Sequence, residues 1–323
     1  MVAARAGASS YSPRPVSAPH GFSDDEATRR LLRSRPPRAA LAWAGKVIGG
    51  TVVSARALRG GTSSAVHVLA ARSGDCALQT VVLRRYVRSE VNLEEPGIVR
   101  HEANALRVVE PAAVPTPELL AADETGEEAG VPALLMSRLR GRVEWSPGDF
   151  DNWLRRLAEL LPMIHAAKLA GPDARGLPLF VPYEQSNYEP PAWSRTPVVW
   201  ERAVEIFHGP ALSSGRVFIQ RDFHPGNVLW NRGAVSGVVD WQDACTGPAV
   251  ADVAHCRANL FRYGLDVADR FTAIWERFSG LRYDPWAEVV GIIGMLGSWQ
   301  GSSGRPHPAT EEALARAVAL LGP

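Results

Sequence analysis

The chain has 323 residues, and its 35 basic and 34 acidic side chains leave a formal net charge of +1. A surface that binds nucleic acid needs a clustered excess of basic side chains, which this balance does not favour. No apolar run reaches the ~18 residues of a membrane-spanning helix, and the N-terminus lacks the hydrophobic stretch of a secretory signal. Three scattered cysteines favour a reducing compartment. We therefore predict a cytoplasmic protein without nucleic-acid or membrane partners.

The first part of the chain is predicted to contain a tail, a short helix and strands. Residues 1–22 are rich in small residues and proline, which is typical of a mobile tail. Ser23 begins a capping-box pattern that predicts a helix to about Leu32, ended by two prolines. Three valine-rich segments with glycine-containing turns between them then predict antiparallel strands. These segments are residues 47–58, 65–71 and 77–86.

A helix and two more strands complete the predicted N-terminal lobe, residues 23–140. The helix spans 98–110, and the two strands flank an acidic turn that follows it. In the C-terminal lobe, residues 141–323, apolar residues recur at i, i+3, i+4 and i+7, most clearly in 150–164. Further helices are predicted at 199–207, 251–278, 289–299 and 310–321, with a long ordered loop at 180–197. The sequence thus predicts an α+β fold with a β-rich N-terminal lobe and an α-rich C-terminal lobe.

The stretch QRDFHPGN (220–227), followed by GVVDW (237–241), carries the strongest chemical signal. Asp222 and Asn227 lie five positions apart and Asp240 follows a hydrophobic strand, which is the pattern of a kinase catalytic loop and metal-binding aspartate. Phosphoryl transfer needs a carboxylate to accept the hydroxyl proton, and oxygen ligands to hold Mg²⁺ against the phosphates. Asp222 is the predicted base, and Asn227 and Asp240 are the predicted metal ligands. Asp and Asn also favour ordinary turns, but a turn leaves Asp240 unexplained.

The run FIQRDFHPGNVLW…GVVDWQDACTGPAVADVAH resembles the catalytic and metal-binding segments of the aminoglycoside phosphotransferase family. That family is similar to choline kinases and, distantly, to protein kinases. The resemblance extends more weakly over about residues 58–296, and the Gly-Pro pair followed by Asp252 is typical of this family. It implies a two-lobed protein-kinase-like fold that binds ATP or GTP with Mg²⁺ and phosphorylates a hydroxyl of a small molecule. The histidines lack zinc-ligand spacing, so a zinc hydrolase is not favoured.

One position departs from the family pattern. The usual histidine two residues before the catalytic aspartate is Gln220 in this chain. Glutamine offers both a donor and an acceptor, so we expect it to support the loop equally well. The alternative favoured by this change is a weakly active, nucleotide-binding pseudokinase.

The helix of the N-terminal lobe carries Glu102 on its apolar face, where a glutamate is seldom buried without a partner. In kinase-like folds the partner is a basic residue of the third strand, which also clamps the nucleotide phosphates. The two lysines of the chain, Lys46 and Lys168, lie too early and too late, so the resemblance assigns Arg84 to this position. Arginine differs from lysine in its planar fork for bidentate phosphate contact. The neighbouring Arg85 alternates to the opposite face and is predicted to be solvated.

The resemblance also implies two further parts of the nucleotide site. A loop of small residues would let backbone N–H groups approach the phosphates, although a two-glycine hairpin turn has the same pattern. The hinge strand would contact the adenine, although such an apolar stripe is also typical of plain core. The loop residues are Gly60, Gly61, Thr62, Ser63 and Ser64, and the hinge residues are Met136, Ser137 and Leu139.

Two segments of the C-terminal lobe mix carboxylates with aromatic rings, which suits a cationic acceptor because acids pair with ammonium groups and rings attract cations. The candidate acceptor-binding residues are Asp243, Trp241, Glu189, Glu184 and Tyr188. The predicted acceptor is a hydroxylated, amine-bearing antibiotic, with an aminoglycoside first and a macrolide or basic peptide antibiotic next. A metabolite such as a sugar, an amino alcohol or a choline-like compound is the alternative. A plainer interpretation makes the rings core and the acids solvated.

Overall fold

The computed structural model describes residues 25–58, 62–73, 78–185, 187–210, 215–296 and 307–322. Helix α1 (Glu26–Arg33) begins at Asp25, whose carboxylate accepts from Thr28 N at 2.7 Å. The predicted cap, Ser23, lies outside the described residues.

Helix α2 (Arg38–Val47) was not predicted, because the preceding prolines were interpreted only as the end of α1. Pro37 has a φ of −65°, which also suits the start of a new helix. The alanine-rich face of α2 places Trp43 in a core shared with the sheet.

Five antiparallel strands form the N-terminal sheet, in the order β1-β2-β3-β5-β4. All five overlap the segments where strands were predicted, including β4 and β5 on either side of the acidic turn, although β2 continues two residues beyond its predicted end, to Ser73. Their bounds are β1 (Gly50–Ala57), β2 (Ala65–Ser73), β3 (Leu78–Arg85), β4 (Leu119–Asp123) and β5 (Ala133–Ser137). One face packs on α2, and the other packs on α3 (Ser89–Glu94) and α4 (Ile98–Val109).

Strand alternation sends Arg84 and Arg85 of β3 to opposite faces of the sheet, as predicted. Arg84 faces the α4 side, where Glu102 lies. The prediction that Arg85 is solvated was wrong, since Arg85 is 4% exposed. It shares its face with Leu83 and Val81, which pack in the core beneath α2. Burial lowers the pKa of Arg85.

The C-terminal lobe is mainly helical around one large core. Its helices are α5 (Phe150–His165), α6 (Gly171–Arg175), α7 (Pro197–Phe207), α8 (Ala249–Leu260), α9 (Leu265–Ser279), α10 (Pro285–Gly294) and α11 (Ala309–Leu321). Its short strands are β6 (Arg142–Val143), β7 (Val217–Ile219), β8 (Val228–Asn231), β9 (Ala234–Val238) and β10 (Cys245–Gly247). The helix predicted at 251–278 is two helices, because Gly264 adopts a φ of 112° between them.

The helix predicted at 289–299 begins earlier, at Pro285, and its predicted end lies outside the described residues. Within the described part of 180–196 no helix or strand forms, as expected of a long loop. No helix in the described ranges is long and apolar enough to cross a bilayer.

Candidate active site

A loop between β7 and β8 carries the kinase-like motif, and the start of α8 holds it in place. The buried carboxylate of Asp252 accepts hydrogen bonds from Gln220 N at 3.0 Å and from Arg221 N at 2.6 Å. It also contacts His165 Nε2 at 3.0 Å. Arg221 adopts a φ of 69°, which is uncommon for a residue with a side chain. These bonds fix the backbone conformation from which the next residue, Asp222, projects.

Three side chains converge around Asp222. His255 Nε2 lies 3.0 Å from Asp222 Oδ1, while Asn227 Nδ2 donates to Asp222 Oδ2 at 2.8 Å. His224 Nε2 is more distant, at 3.8 Å. Burial alone would raise the pKa of Asp222, but the bond to His255, the two imidazoles and Asn227 lower it to about 2. The carboxylate is therefore ionised at any neutral pH.

Gln220 supports the strand that carries Asp240. Its Nε2 donates to Val239 O at 2.7 Å and to Asp240 O at 3.0 Å, and Val239 N donates to Asn227 O at 2.9 Å. Asp240 itself has a φ of 66°, which directs its carboxylate out of the line of the strand. Glutamine thus makes the supporting bonds expected of this position, although its buried Oε1 has no hydrogen-bond partner in the described part of the chain.

Arg84 connects the N-terminal sheet, α4 and the segment after β9. Its Nη1 lies 2.6 Å from Glu102 Oε1, its Nη2 lies 2.8 Å from Asp240 Oδ1, and its Nε donates to Ser64 Oγ at 2.8 Å. Gln242 Oε1 accepts from Nη2 at 3.0 Å. A lysine has one nitrogen with three donors and could not reach all four partners.

Burial and charge oppose each other in this network. Burial alone would lower the pKa of Arg84, but Asp240 and Glu102 raise it well above its usual value. Burial is also the largest influence on Glu102 and raises its pKa, while Arg84 and the hydroxyl of Tyr86, at 2.7 Å, oppose that effect. The guanidinium therefore stays charged.

The pairing of Arg84 with Glu102 can be tested by a double-mutant cycle. We expect Arg84→Ala and Glu102→Ala each to weaken nucleotide binding, because each leaves a buried charge without its partner. The double variant should be less impaired than the sum of the two, with a coupling of ~1 kcal/mol or more. Titration calorimetry with nucleotide measures all three. The exposed pair Arg100–Glu124, 2.7 Å apart, is the control and should give almost additive changes. Strict additivity for the buried pair would contradict the assignment.

A cleft of about 570 Å³ lies between the sheet and the catalytic loop. Val66, Val82 and Met136 line it from the sheet, and Leu229 of β8 lines it from the other side. The predicted hinge residues Met136, Ser137 and Leu139 all contribute to its wall. Gly237 packs closely against this wall, because a Cβ at this position would lie 2.2 Å from Leu139 Cδ1 and the leucine side chain would have to shift.

The predicted phosphate loop is only partly described. Gly60 and Gly61 lie outside the described residues. Ser63 and Ser64 are buried, and Ser63 Oγ donates to Gln242 Oε1 at 3.2 Å. The carbonyl of Thr62 accepts from Arg88 at 2.9 Å. The serines thus join the Arg84 network at the end of the cleft where Asp240 lies.

The donor set at this end of the cleft fits a hard divalent cation. Asn227 uses its amide nitrogen on Asp222, which leaves its amide oxygen for a metal. The carboxylate of Asp240 supplies the second oxygen. Within the described ranges no group of three or more His, Cys, Asp or Glu could hold a metal. Mg²⁺ bound through one or two protein oxygens completes its octahedron with water and phosphate oxygens, so this sparse pair is sufficient.

A second group of charged residues surrounds Arg221, the residue before Asp222, and neither Arg221 nor Glu95 was predicted from the sequence. The guanidinium of Arg221 lies over the ring of Tyr183, 4.0 Å from its centroid, and donates to Val181 O at 2.8 Å. Burial raises the pKa of Glu95 to about 7, Asp243 adds to that rise, and Arg221 opposes it. Glu95 follows the six-residue helix α3, which has no long periodic pattern, and its only sequence signal is an acid before Pro96.

The other predicted acceptor residues have different surroundings. Trp241 is 1% exposed and stacks on Phe218, so it is mainly core, although it also lines the nucleotide cleft. Tyr188 packs its ring against Phe207 and His208, and its hydroxyl accepts from Gln185 N at 3.0 Å. Glu184 and Glu189 are exposed. Among the described residues, neither lines the cleft or the small cavity behind His255.

Comparison with known families decides the classification. The family described as "Phosphotransferase enzyme family" (APH) matches residues 54–288, which is more than half of the chain. The chain belongs to the APH phosphotransferase family. This membership accounts for the Asp222, Asn227 and Asp240 spacing and confirms the resemblance found in the sequence.

Relatives of known activity match this APH chain over only part of their length. A homoserine kinase of Pseudomonas aeruginosa is 33% identical over 134 residues, which are 39% of this chain and 41% of that protein. An N-acetylmuramate/N-acetylglucosamine kinase of Neisseria meningitidis is 30% identical over 108 residues, 29% of this chain and 31% of that protein. The chain thus spans less than half the length of these relatives in each match.

Solved structures agree over most of the fold. Aminoglycoside phosphotransferase APH(4)-Ia, in a ternary complex with ADP and hygromycin B, superposes with a TM-score of 0.57 at 17% identity. That match covers 88% of this chain and 99% of APH(4)-Ia. Macrolide 2'-phosphotransferase type I gives a TM-score of 0.54 at 18% identity and covers 89% and 98% of the two chains. At these identities the likeness confirms the two-lobed kinase-like α+β fold.

Proposed function

We propose that this protein is a small-molecule kinase that transfers the γ-phosphate of ATP or GTP to a hydroxyl of an amine-bearing acceptor. The observation that carries the proposal is the double contact of Arg84 with Glu102 and Asp240 in a cleft that Asn227 also lines, with Asn227 donating to Asp222. Phosphoryl transfer is catalysed mainly by positioning and charge stabilisation. One end of the cleft carries the cationic Arg84, the anionic Asp240 and the neutral Asn227, which could position the substrates and stabilise charge.

Binding of nucleotide is assigned to the N-terminal side of the cleft. Val66 and Val82 would pack on one face of the base and Leu229 on the other, with Ser137 and Leu139 at its edge. Arg84 would exchange its contact with Asp240 for phosphate oxygens while keeping Glu102. Asp240 and the amide oxygen of Asn227 would then hold Mg²⁺. The cation, when bound, supplies positive charge that offsets the charge developing on the transferred phosphoryl group.

Asp222 is assigned to the acceptor hydroxyl. Its Oδ1 is held by His255 and its Oδ2 by Asn227, so the carboxylate is fixed in orientation before the acceptor binds. The hydroxyl would donate to this carboxylate and lose its proton to it as the phosphorus–oxygen bond forms. With a pKa of about 2, Asp222 is a weak base and acts chiefly by orienting the hydroxyl and stabilising the positive charge that develops on it.

The acceptor's amine is assigned to Glu95 and Asp243. Asp243 raises the pKa of Glu95, and both acids raise the pKa of Arg221, the residue before Asp222, which supports an excess of negative charge near the catalytic loop. An amine-bearing antibiotic fits this charge, in line with the hygromycin B bound to APH(4)-Ia. Glu184, Glu189 and Tyr188 are the other candidate acceptor residues, and neutralising Glu184 or Glu189 tests whether the loop at 180–197 reaches the acceptor.

The acceptor assignment predicts a pH dependence. Glu95 has a raised pKa of about 7, so it is largely neutral at pH 6 and ionised at pH 8. For an acceptor whose amine stays charged, KM should fall by roughly tenfold across this range and should rise with salt, because the contact is electrostatic. Asp222 stays ionised throughout and does not contribute to this change.

Steady-state kinetics with the matched variants Glu95→Gln and Glu94→Gln measure this effect. Glu94 is the exposed neighbour, and its charge is the smallest of those that act on the pKa of Glu95. Its variant should keep the pH dependence, with the midpoint shifted slightly to lower pH, whereas Glu95→Gln and Asp243→Asn should raise the acceptor KM at unchanged nucleotide KM. An unchanged acceptor KM in both Glu95→Gln and Asp243→Asn would refute the cationic acceptor. The kinase assignment would be unaffected by that result.

A compact zwitterionic metabolite is the second candidate acceptor. The buried Nε of Arg221 has no hydrogen-bond partner in the described part of the chain, and Glu95 and Asp243 act on the same guanidinium. A cation beside two acids suits an amino alcohol that also carries a carboxylate. Homoserine has this chemistry, and a homoserine kinase is among the relatives that match part of this chain. Comparing one amino alcohol with and without its carboxylate distinguishes this candidate, since only the zwitterion uses Arg221.

A further inference from the structure

Gln242 lies two residues after Asp240 in the C-terminal lobe, and its side chain reaches the N-terminal lobe. Its Oε1 accepts from Arg84 Nη2 at 3.0 Å and from Ser63 Oγ at 3.2 Å. Because a guanidinium only donates hydrogen bonds, the amide atom that faces Arg84 must be the oxygen. The amide nitrogen then lies towards Asp243 Oδ2, at 3.5 Å. One uncharged side chain thus connects the two lobes at the end of the cleft where Arg84 lies.

The backbone that carries Gln242 is held on both sides. Trp241 is buried and stacks on Phe218, and its Nε1 donates to Val238 O at 3.1 Å. Ala244 N donates to Trp241 O at 3.1 Å, which closes a turn around Gln242. The amide therefore projects from a segment that packing and hydrogen bonds fix in place, so it can serve as a reference point for a side chain of the other lobe.

The hydrogen atoms of Arg84 show why a second acceptor matters. A guanidinium has five N–H groups, and two of them belong to Nη2. Nη2 donates to Asp240 Oδ1 at 2.8 Å and to Gln242 Oε1 at 3.0 Å. The hydroxyl of Tyr86 is farther from Gln242 Oε1, at 3.4 Å, and lies closer to Glu102 Oε2, at 2.7 Å. When Asp240 is engaged elsewhere, Gln242 is the one of the two Nη2 acceptors that stays with the guanidinium.

We propose that Gln242 is a positioning residue for nucleotide binding, which holds the Nη2 end of Arg84 while the other N–H of Nη2 contacts a phosphate. The inference rests on the proposed function, since it takes from there the assignment of Arg84 to the phosphates. An amide suits this role because it orients the guanidinium without cancelling its charge. A carboxylate in the same place would pair with Arg84 and would repel the phosphates.

Gln242→Met tests this role, because methionine has a similar length but its thioether is only a weak acceptor. We expect the nucleotide Kd from titration calorimetry and the nucleotide KM to rise about tenfold, with kcat and the acceptor KM within about twofold of wild type. Gln242→Asn keeps the amide but is one methylene shorter, so it cannot maintain the contact with Arg84 and should give the same result. The control is Gln79→Met at an exposed position of β3, which should leave every value unchanged.

A double-mutant cycle with Arg84 distinguishes positioning from a general structural role. In the Arg84→Ala background, Gln242→Met should change the nucleotide Kd by less than about twofold, because no guanidinium remains to be held. The same tenfold loss in both backgrounds would overturn the proposal. A lower kcat at unchanged nucleotide KM would overturn it too, because a smaller folded fraction gives that result.

The remaining outcomes separate this inference from the proposed function. If the wild type binds nucleotide and both Gln242 variants bind it equally well, the positioning role is refuted and the kinase assignment is not. If the wild type binds nucleotide but transfers no phosphate, the kinase reaction is refuted, and the Kd values still decide the role of Gln242. A wild type that binds no nucleotide would overturn both. Should Gln242→Met fail to fold, Gln242→Asn in the same cycle decides the question.

Discussion

Replacing Asp222 with Asn is expected to reduce the rate of phosphoryl transfer by roughly 10²-fold or more. Asparagine keeps the shape and one carbonyl oxygen for His255 or Asn227, but it cannot accept the hydroxyl proton and carries no charge. The loop should keep its fold, because Asp252 and Gln220 hold its backbone. Steady-state turnover with the best acceptor measures the effect.

The nucleotide affinity of the same preparation is the control for this variant. It should stay close to that of the wild type, because Asp222 is assigned to the acceptor and not to the nucleotide. Turnover that remains within a few-fold of wild type would show that Asp222 does not act on the reacting hydroxyl.

Replacing Asp240 with Ala is expected to remove most of the Mg²⁺-dependent part of nucleotide binding, by roughly 10²-fold. A carboxylate contributes more to a Mg²⁺ site than a neutral amide does, so Asn227→Ala should have the smaller effect. Without Mg²⁺ the two variants should differ in another way. Asp240→Ala releases Arg84 Nη2 from its 2.8 Å contact, so its metal-free nucleotide affinity should equal or exceed that of the wild type.

Calorimetric titration of nucleotide at several Mg²⁺ concentrations separates the Mg²⁺-dependent affinity from the metal-free affinity. The Mg²⁺ dependence should almost disappear in Asp240→Ala and should shift to higher concentration in Asn227→Ala. Equal affinities in both variants, independent of Mg²⁺, would contradict the assignment of these two residues as ligands.

Much of the fold followed from local patterns. The composition of the segments and the turns between them predicted the N-terminal strands, and apolar residues on one helix face predicted α4 and α5. Helix α2 was missed, since two prolines that ended one helix also began the next. The prediction that Arg85 is solvated was wrong for a different reason. Alternation gave its face correctly, but whether that face is covered depends on α1 and α2, which are distant in sequence from β3.

The two halves of the site were predictable to different degrees. Asp222, Asn227 and Asp240 belong to a motif whose spacing follows from the chemistry, and Arg84 was assigned to its position by the family resemblance. The structure brings Arg84 to Asp240 and Asn227 to Asp222. The proposed acceptor side has no such motif. Trp241 is mainly core, whereas Glu95 follows a short helix in the other lobe. Such residues are brought together only by tertiary packing, which a single sequence does not specify.

The central claim is that the phosphoryl group passes from nucleotide to a hydroxyl of a small molecule. The most direct test incubates the protein with γ-³²P-labelled ATP or GTP, Mg²⁺ and one acceptor at a time from a panel of aminoglycosides, macrolides, peptide antibiotics, amino alcohols and sugars. We predict that the label moves into at least one acceptor as an acid-stable phosphate ester, and that Asp222→Asn reduces this transfer by about 10²-fold. Label that stays in nucleotide or appears only as inorganic phosphate with every acceptor, while nucleotide binding is intact, would contradict the claim and favour a pseudokinase.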